Sequence, residues 1–115
     1  MVEPGKRRWT LEAAREILAE VRQRTARAVP EVERLIAERE LRDPGSEERM
    51  EIEVQIRTQI GRWTRAMEAL GVEVKGLWLV DFDNGNGYYC WKWPEEELAW
   101  YHGYDEGFEG RVRIQ

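Results

Sequence analysis

The chain is short of the residues on which most small-protein chemistry is built. It has one cysteine, Cys90, one histidine, His102, and one serine, Ser46. A single cysteine excludes an intramolecular disulfide framework and every paired-cysteine zinc motif. A single histidine excludes a two-histidine metal centre within one chain. Ser46 precedes Glu47 and Glu48, where a helix cap is wanted, so serine nucleophilic catalysis is poorly served. No Gly-Lys-Ser/Thr phosphate loop and no dinucleotide-binding glycine pattern occurs. Apolar runs are short: none approaches the roughly 18 residues of a membrane span, and none follows the charged N-terminus as in a secretory leader. These absences give the expectation of a cytoplasmic protein with no membrane partner, no metal and no cofactor.

Charge, by contrast, is abundant. The 115 residues carry 23 Asp/Glu against 18 Lys/Arg, a formal net charge of −5. Such an average field repels a polyphosphate. Residues 1–29 hold seven Lys/Arg against four Glu, and residues 71–115 hold four against nine. Nucleic acid would therefore have to use Lys6-Arg7-Arg8 and the first helix, and a short basic tail reads better as a solvated terminus. No nucleic-acid partner is expected.

Two helical patterns fill the first seventy residues. Thr10 caps the first, with Trp9 outside it as a staple and Glu12 in the first turn. Leu11, Ala14, Leu18, Val21, Thr25, Ala28, Val32 and Leu35 then recur at spacings of three and four, the seam of a helix packed along another, and Ile17 and Ile36 widen it. This predicts helix one over 10–42. Pro30 removes the bond to the carbonyl of Ala26, so either the helix kinks or two helices meet near Val29; the unbroken phase of the seam favours one kinked helix. Helix two, over 44–70, has two possible starts, Asp43 capping with Pro44 in the first turn or Ser46 capping before Glu47. Ile52, Ile56, Ile60, Trp63, Met67 and Leu70 trace its apolar face, and Gly71 ends it. Two such helices carry more apolar face than the remaining chain can cover. Self-association through helix faces, as a homodimeric four-helix bundle, is the expected consequence.

After Gly71 the period changes to that of strands. Val72 and Val74 alternate with charge, Leu77 to Phe82 is rich in strand formers, and Asp83-Asn84-Gly85-Asn86-Gly87 offers two Asn-Gly turns. Tyr88 to Trp93 returns as the partner strand, with Tyr89, Trp91 and Trp93 on one face and Tyr88, Cys90 and Lys92 on the other. Pro94 stops the pairing, Glu95-Glu96-Glu97 reads as a solvated turn, and Leu98 to Tyr101 as a short third strand. The expectation is an α+β fold in a single domain: a long antiparallel helical hairpin, a small antiparallel aromatic-rich sheet over 72–101 and a C-terminal wrap over 102–115.

Chemistry, if present, falls near the C-terminus. Asp81 and Asp83 beside the Asn/Gly tract suggest a calcium loop only superficially, for the glycine and terminal glutamate spacing of an EF-hand is missing. The stronger constellation is His102, Asp105 and Arg111. A histidine can exchange a proton, Asp105 could fix its tautomer and Arg111 could receive a carboxylate or phosphate, with Trp91 and Trp100 as aromatic walls. The structural alternative uses the same side chains as hydrogen-bond and ion-pair anchors of a tight wrap.

Thr10-Leu11-Glu12-Ala13-Ala14, Leu70-Gly71-Val72-Glu73-Val74-Lys75, Leu79-Val80-Asp81-Phe82, Tyr89-Cys90-Trp91-Lys92 and Trp100-Tyr101-His102 with Gly107-Phe108-Glu109-Gly110-Arg111 together resemble a small prokaryotic family of unknown function, DUF2203. The resemblance covers nearly the whole chain and is strongest from Leu70 onwards. It implies a helical hairpin followed by a short sheet-forming tail, and implies no activity. Members often place Gly-Glu after the central Trp-Lys strand, where this chain has Trp93-Pro94-Glu95, and the segment from Phe82 to Tyr88 is shorter than usual. The sequence thus favours a non-catalytic homo-oligomeric structural or interaction protein. The alternative is binding of a small anionic metabolite in an aromatic pocket near His102 and Arg111, with weak acid-base chemistry.

Overall fold

The computed structural model describes residues 7–115; Lys6, the first residue of the basic end, lies outside them. Helix α1 spans Leu11–Glu40 and helix α2 spans Glu47–Leu70. Thr10 caps α1 by accepting from the Ala13 N–H at 3.1 Å. Ser46 caps α2 by accepting from the Arg49 N–H at 3.2 Å, which selects the later of the two possible starts. Gly71 closes α2 in the left-handed conformation, φ 92°, a geometry that costs a glycine nothing. Pro30 lies inside α1 without ending it. Both Pro30 and Ala26 are exposed, so the carbonyl that loses its partner is solvated rather than stranded.

The rest of the chain forms a five-stranded antiparallel meander in sequence order. Its strands are β1 (Glu73–Gly76), β2 (Leu79–Asp83), β3 (Gly87–Lys92), β4 (Trp100–Gly103) and β5 (Val112–Arg113), with a 3₁₀ turn at Phe108–Gly110 before the last. The sheet therefore runs through the segment expected to be a wrap. The apolar run Leu77–Phe82 is broken by a turn in which Trp78 adopts a φ of 60°. That conformation costs a bulky residue about 1–3 kcal/mol. Burial of its indole edge-on against Trp63, ring centroids 4.9 Å apart, offsets the cost. Between β2 and β3, the Asn84 carboxamide accepts from the Asn86 and Gly87 N–H groups, and Asp83 accepts from Gly85 N–H. The Asn-Gly tract thus makes the tight turn its composition predicted.

One core joins helices and sheet. The seam residues Ala14, Leu18, Val21, Val29, Val32 and Leu35 meet Ile52, Ile56, Trp63 and Met67, and the sheet adds Trp78, Val80, Phe82 and Trp91. Trp9 belongs to this core rather than merely stapling α1: its ring stands edge-on to Phe82 and its indole N–H donates to the Gly71 carbonyl. The four-helix bundle is accordingly corrected. Among the described residues there are two α-helices, and the aromatic inner face of the sheet takes the place that a second helix pair would fill. No helix among these residues is long and apolar enough to cross a membrane.

Two substitutions test the helical hairpin. Thr25 is fully buried, donates to the Val21 carbonyl and accepts from the Trp63 indole N–H at 2.9 Å. Replacing it with Val strands that N–H in the core and should cost about 1–3 kcal/mol in chemical denaturation, while Ser retains most of the stability; equal loss in both would place the cost in packing. Conversely, Pro30→Ala restores a helical donor at an exposed position and should stabilise by about 1–3 kcal/mol. An unchanged midpoint would mean that hydration of the Ala26 carbonyl already offsets the lost bond.

Candidate functional site on the outer face of the sheet

Strand alternation sends Val80, Phe82 and Trp91 to the helices and sends Asp81, Cys90 and His102 to the other face. Asp81 stands opposite Cys90 across β2 and β3, and His102 stands opposite Tyr88 across β3 and β4. The three are brought together so that a carboxylate oxygen, Sγ and an imidazole nitrogen all lie within 4.8 Å of one another. Although they face away from the core, all three are buried. Tyr88, Tyr104 and Phe108 stand around them, and with Lys75, Glu106 and Gly107 they line a cleft of about 280 Å³ over the cluster. Tyr104 is fixed there by donating to Asp83 at 2.6 Å and by edge-on contact with Tyr88.

The histidine has a defined orientation. Its Nδ1 lies 2.9 Å from the Gly103 carbonyl, which can only accept, so Nδ1 carries a proton. Its Nε2 faces Asp81 Oδ2 at 3.0 Å. One proton is therefore shared between a buried carboxylate and a buried imidazole. Burial pushes the Asp81 carboxyl up from its ordinary value, against the opposing pull of the Cys90 thiol and His102. Burial and the neighbouring Asp81 push the Cys90 thiol up to about 12, so the cysteine is a neutral thiol. Asp81 Oδ1 is left with no partner inside hydrogen-bonding geometry. A buried polar atom without a partner costs about 1–3 kcal/mol, so it marks a place where the fold is not optimised for itself.

This arrangement coincides with a family assignment. A family model described as an uncharacterized conserved protein, DUF2203, matches residues 7–114. The chain belongs to the DUF2203 family. No curated protein and no solved structure matches it. In this DUF2203 protein, the buried Asp81–Cys90–His102 cluster is a candidate ligand- or metal-binding site, and it accounts for the outer face better than a purely structural role does.

The residues singled out in the sequence separate in space. His102 is at the centre of the cluster, but the carboxylate that orients it is Asp81 rather than Asp105, which is exposed. Trp91 is fully buried on the helix side of the sheet, so it is no wall of this cleft. Trp100, opposite Cys90, lies beneath the Arg111 guanidinium at 4.9 Å. Arg111 also covers Phe108 at 4.0 Å and pairs with Glu95 at 3.0 Å, its side chain only 12% exposed. It clamps the C-terminal segment to the β3–β4 connection. Glu95 is likewise no solvated turn residue: it also accepts from Lys92 N–H, while its carbonyl accepts from Trp91 and from Arg22 of α1. Asp81 and Cys90 as partners of His102 were missed. The available signal was that both are hydrophilic or reactive residues at the centre of strands, where an apolar residue is the default.

The neutral thiol gives a direct check on the closed geometry. At pH 8, alkylation of Cys90 by iodoacetamide should be about 1000-fold slower in the folded protein than in denaturant, from the reduced thiolate fraction with burial adding to it. Comparable rates in the two states would show that the cleft opens freely to bulk solvent.

Proposed function

We propose that this DUF2203 protein binds a small polar ligand in the cleft between the outer sheet face and residues 104–110. The observation that carries the reading is the partnerless Oδ1 of Asp81 at the floor of that cleft. An acceptor in that position calls for a donor or a cation, and a role confined to packing leaves it unexplained. The volume suits a small metabolite, at the lower end of small-molecule sites. An anionic group on the ligand would meet Lys75 at the rim rather than Arg111, which Glu95 already neutralises. Lys75 bridges Glu73 at 3.2 Å and the Tyr88 hydroxyl at 3.4 Å. Such a pair near the surface is worth roughly 0–1 kcal/mol, so an incoming carboxylate can displace Glu73 at little cost. The proton shared by Asp81 and His102 is available to the same ligand, which supplies the weak acid-base capacity of the cleft.

Gly107 provides the test. Its backbone φ of −106° suits any residue, and a Cβ there would meet nothing within 4 Å. Gly107→Phe should fill the cleft without disturbing the fold. Small carboxylates, amines and amino acids are screened by protein-detected NMR. Binders should shift Tyr88, His102 and Tyr104 signals, lose affinity at least about tenfold in Gly107→Phe, and, where anionic, weaken in Lys75→Gln by a few-fold. Binders that leave these signals unmoved, or that bind Gly107→Phe as well as the parent, would sink the reading.

A further inference from the structure

We infer that Asp81, Cys90 and His102 are the protein ligands of a divalent transition metal of the zinc class, with a fourth coordination position open to the cleft. This deepens the binding reading above and rests on it for the role of that open position. Three observations converge. The first is the donor set: one oxygen, one sulfur and one nitrogen within 4.8 Å of one another, from three different strands. A mixed set containing sulfur suits zinc and its neighbours, whereas calcium and magnesium require an all-oxygen shell. The second is the orientation of His102. Donation from Nδ1–H to the Gly103 carbonyl leaves Nε2 aimed at Asp81, the arrangement by which backbone carbonyls hold metal-bound histidines. The third is the unused Asp81 Oδ1 in a side chain 2% exposed, an acceptor that a cation would satisfy.

Entry of one divalent cation displaces the thiol proton and the shared proton to solvent, leaving thiolate, carboxylate and neutral imidazole around the ion. Two protons leave as two positive charges arrive, so the exchange leaves the net charge of the buried cluster unchanged. Geometrically, donor atoms that now lie within 4.8 Å of one another must draw in to tetrahedral spacing. Zinc bonds of roughly 2.0–2.3 Å place tetrahedral ligand atoms about 3.3–3.6 Å apart. The Nε2–Oδ2 separation of 3.0 Å needs to widen by only a few tenths of an ångström. Glu106, on the cleft wall, accepts from the Gly103 N–H at 3.0 Å through Oε1.

The test uses the full chain, freed of metal with a chelator, and cobalt(II) as probe with zinc as competitor. One equivalent of cobalt should bind with a thiolate-to-cobalt charge-transfer band, and zinc should erase it. Cys90→Ser should lose the band while its circular dichroism is unchanged; His102→Gln, which keeps the thiol, should weaken binding at least about tenfold. Zinc should also raise the melting temperature of the parent by more than that of either variant. Absence of the band in the folded parent, its persistence in Cys90→Ser, or unaltered affinity in His102→Gln overturns the assignment; should Cys90→Ser fail to fold, the His102→Gln affinity and the parent's zinc-dependent melting decide it. The ligand screen is run on both chelated and zinc-loaded protein. Cleft binders without metal binding would leave the cleft reading standing and end the metal site, whereas stoichiometric metal without cleft binders would do the reverse.

Discussion

The register of β2 against β3 is the constraint on which the rest of the molecule depends. Val80 faces Trp91 and Asp81 faces Cys90. A slip of one residue would turn every side chain of a strand to the other face, placing a carboxylate in the core and a large apolar residue in solvent. The register is held at one end by the Asp83–Gly87 turn and at the other by the Trp93 N–H donating to the Trp78 carbonyl at 3.0 Å. Strand β4 then pairs with β3 so that His102 arrives on the same face as Cys90. Core and candidate site are therefore two consequences of one pairing, and neither can change without the other.

What the sequence disclosed follows the range of the interactions involved. Thr10, Ser46 and Gly71 announce helix ends because a cap acts within three or four residues, and Asn84-Gly85 announces a turn for the same reason. The seam from Leu11 to Leu35 shows its partner helix through periodicity alone. Trp78 does not show its turn, because its positive φ is stabilised by Trp63, fifteen positions upstream, and by no local signal. The Asp81–His102 pair spans 21 residues and is created by two strand registers in succession. Asp105, three residues from His102 in sequence, was the natural local partner to expect; it is exposed because the chain turns outward after Gly103.

The mistaken bundle has an equally physical origin. Counting apolar helical positions measures how much surface must be covered, but not by what. Six tryptophans in 115 residues, five of them in the core or packed against it, supply far more covering area per residue than aliphatic side chains. A short sheet with such an inner face can cover the helix seams that a sheet of valines of the same length could not. Composition was thus the better guide here than chain length.

The helices also reach the site indirectly, through the connection between β3 and β4. Arg22 of α1 donates to the Glu95 carbonyl and Arg15 to the Leu98 carbonyl, fixing the chain that leads into β4. The Glu95 carboxylate in turn holds Lys92 N–H at the end of β3 and Arg111 beyond the cleft. Arg111 lies across Trp100 and Phe108, so the same glutamate that is anchored to α1 also anchors the segment closing the outer face. His102 sits on the strand between these two attachments. A cluster placed on an unsupported sheet face would be free to relax until Asp81 Oδ1 found a partner. Here the sheet is held from behind by its aromatic face and from both ends of β4 by Glu95 and Arg111. A partnerless buried oxygen can persist only because the surroundings are fixed in this way, and rigidity of that kind is what a preformed binding site requires.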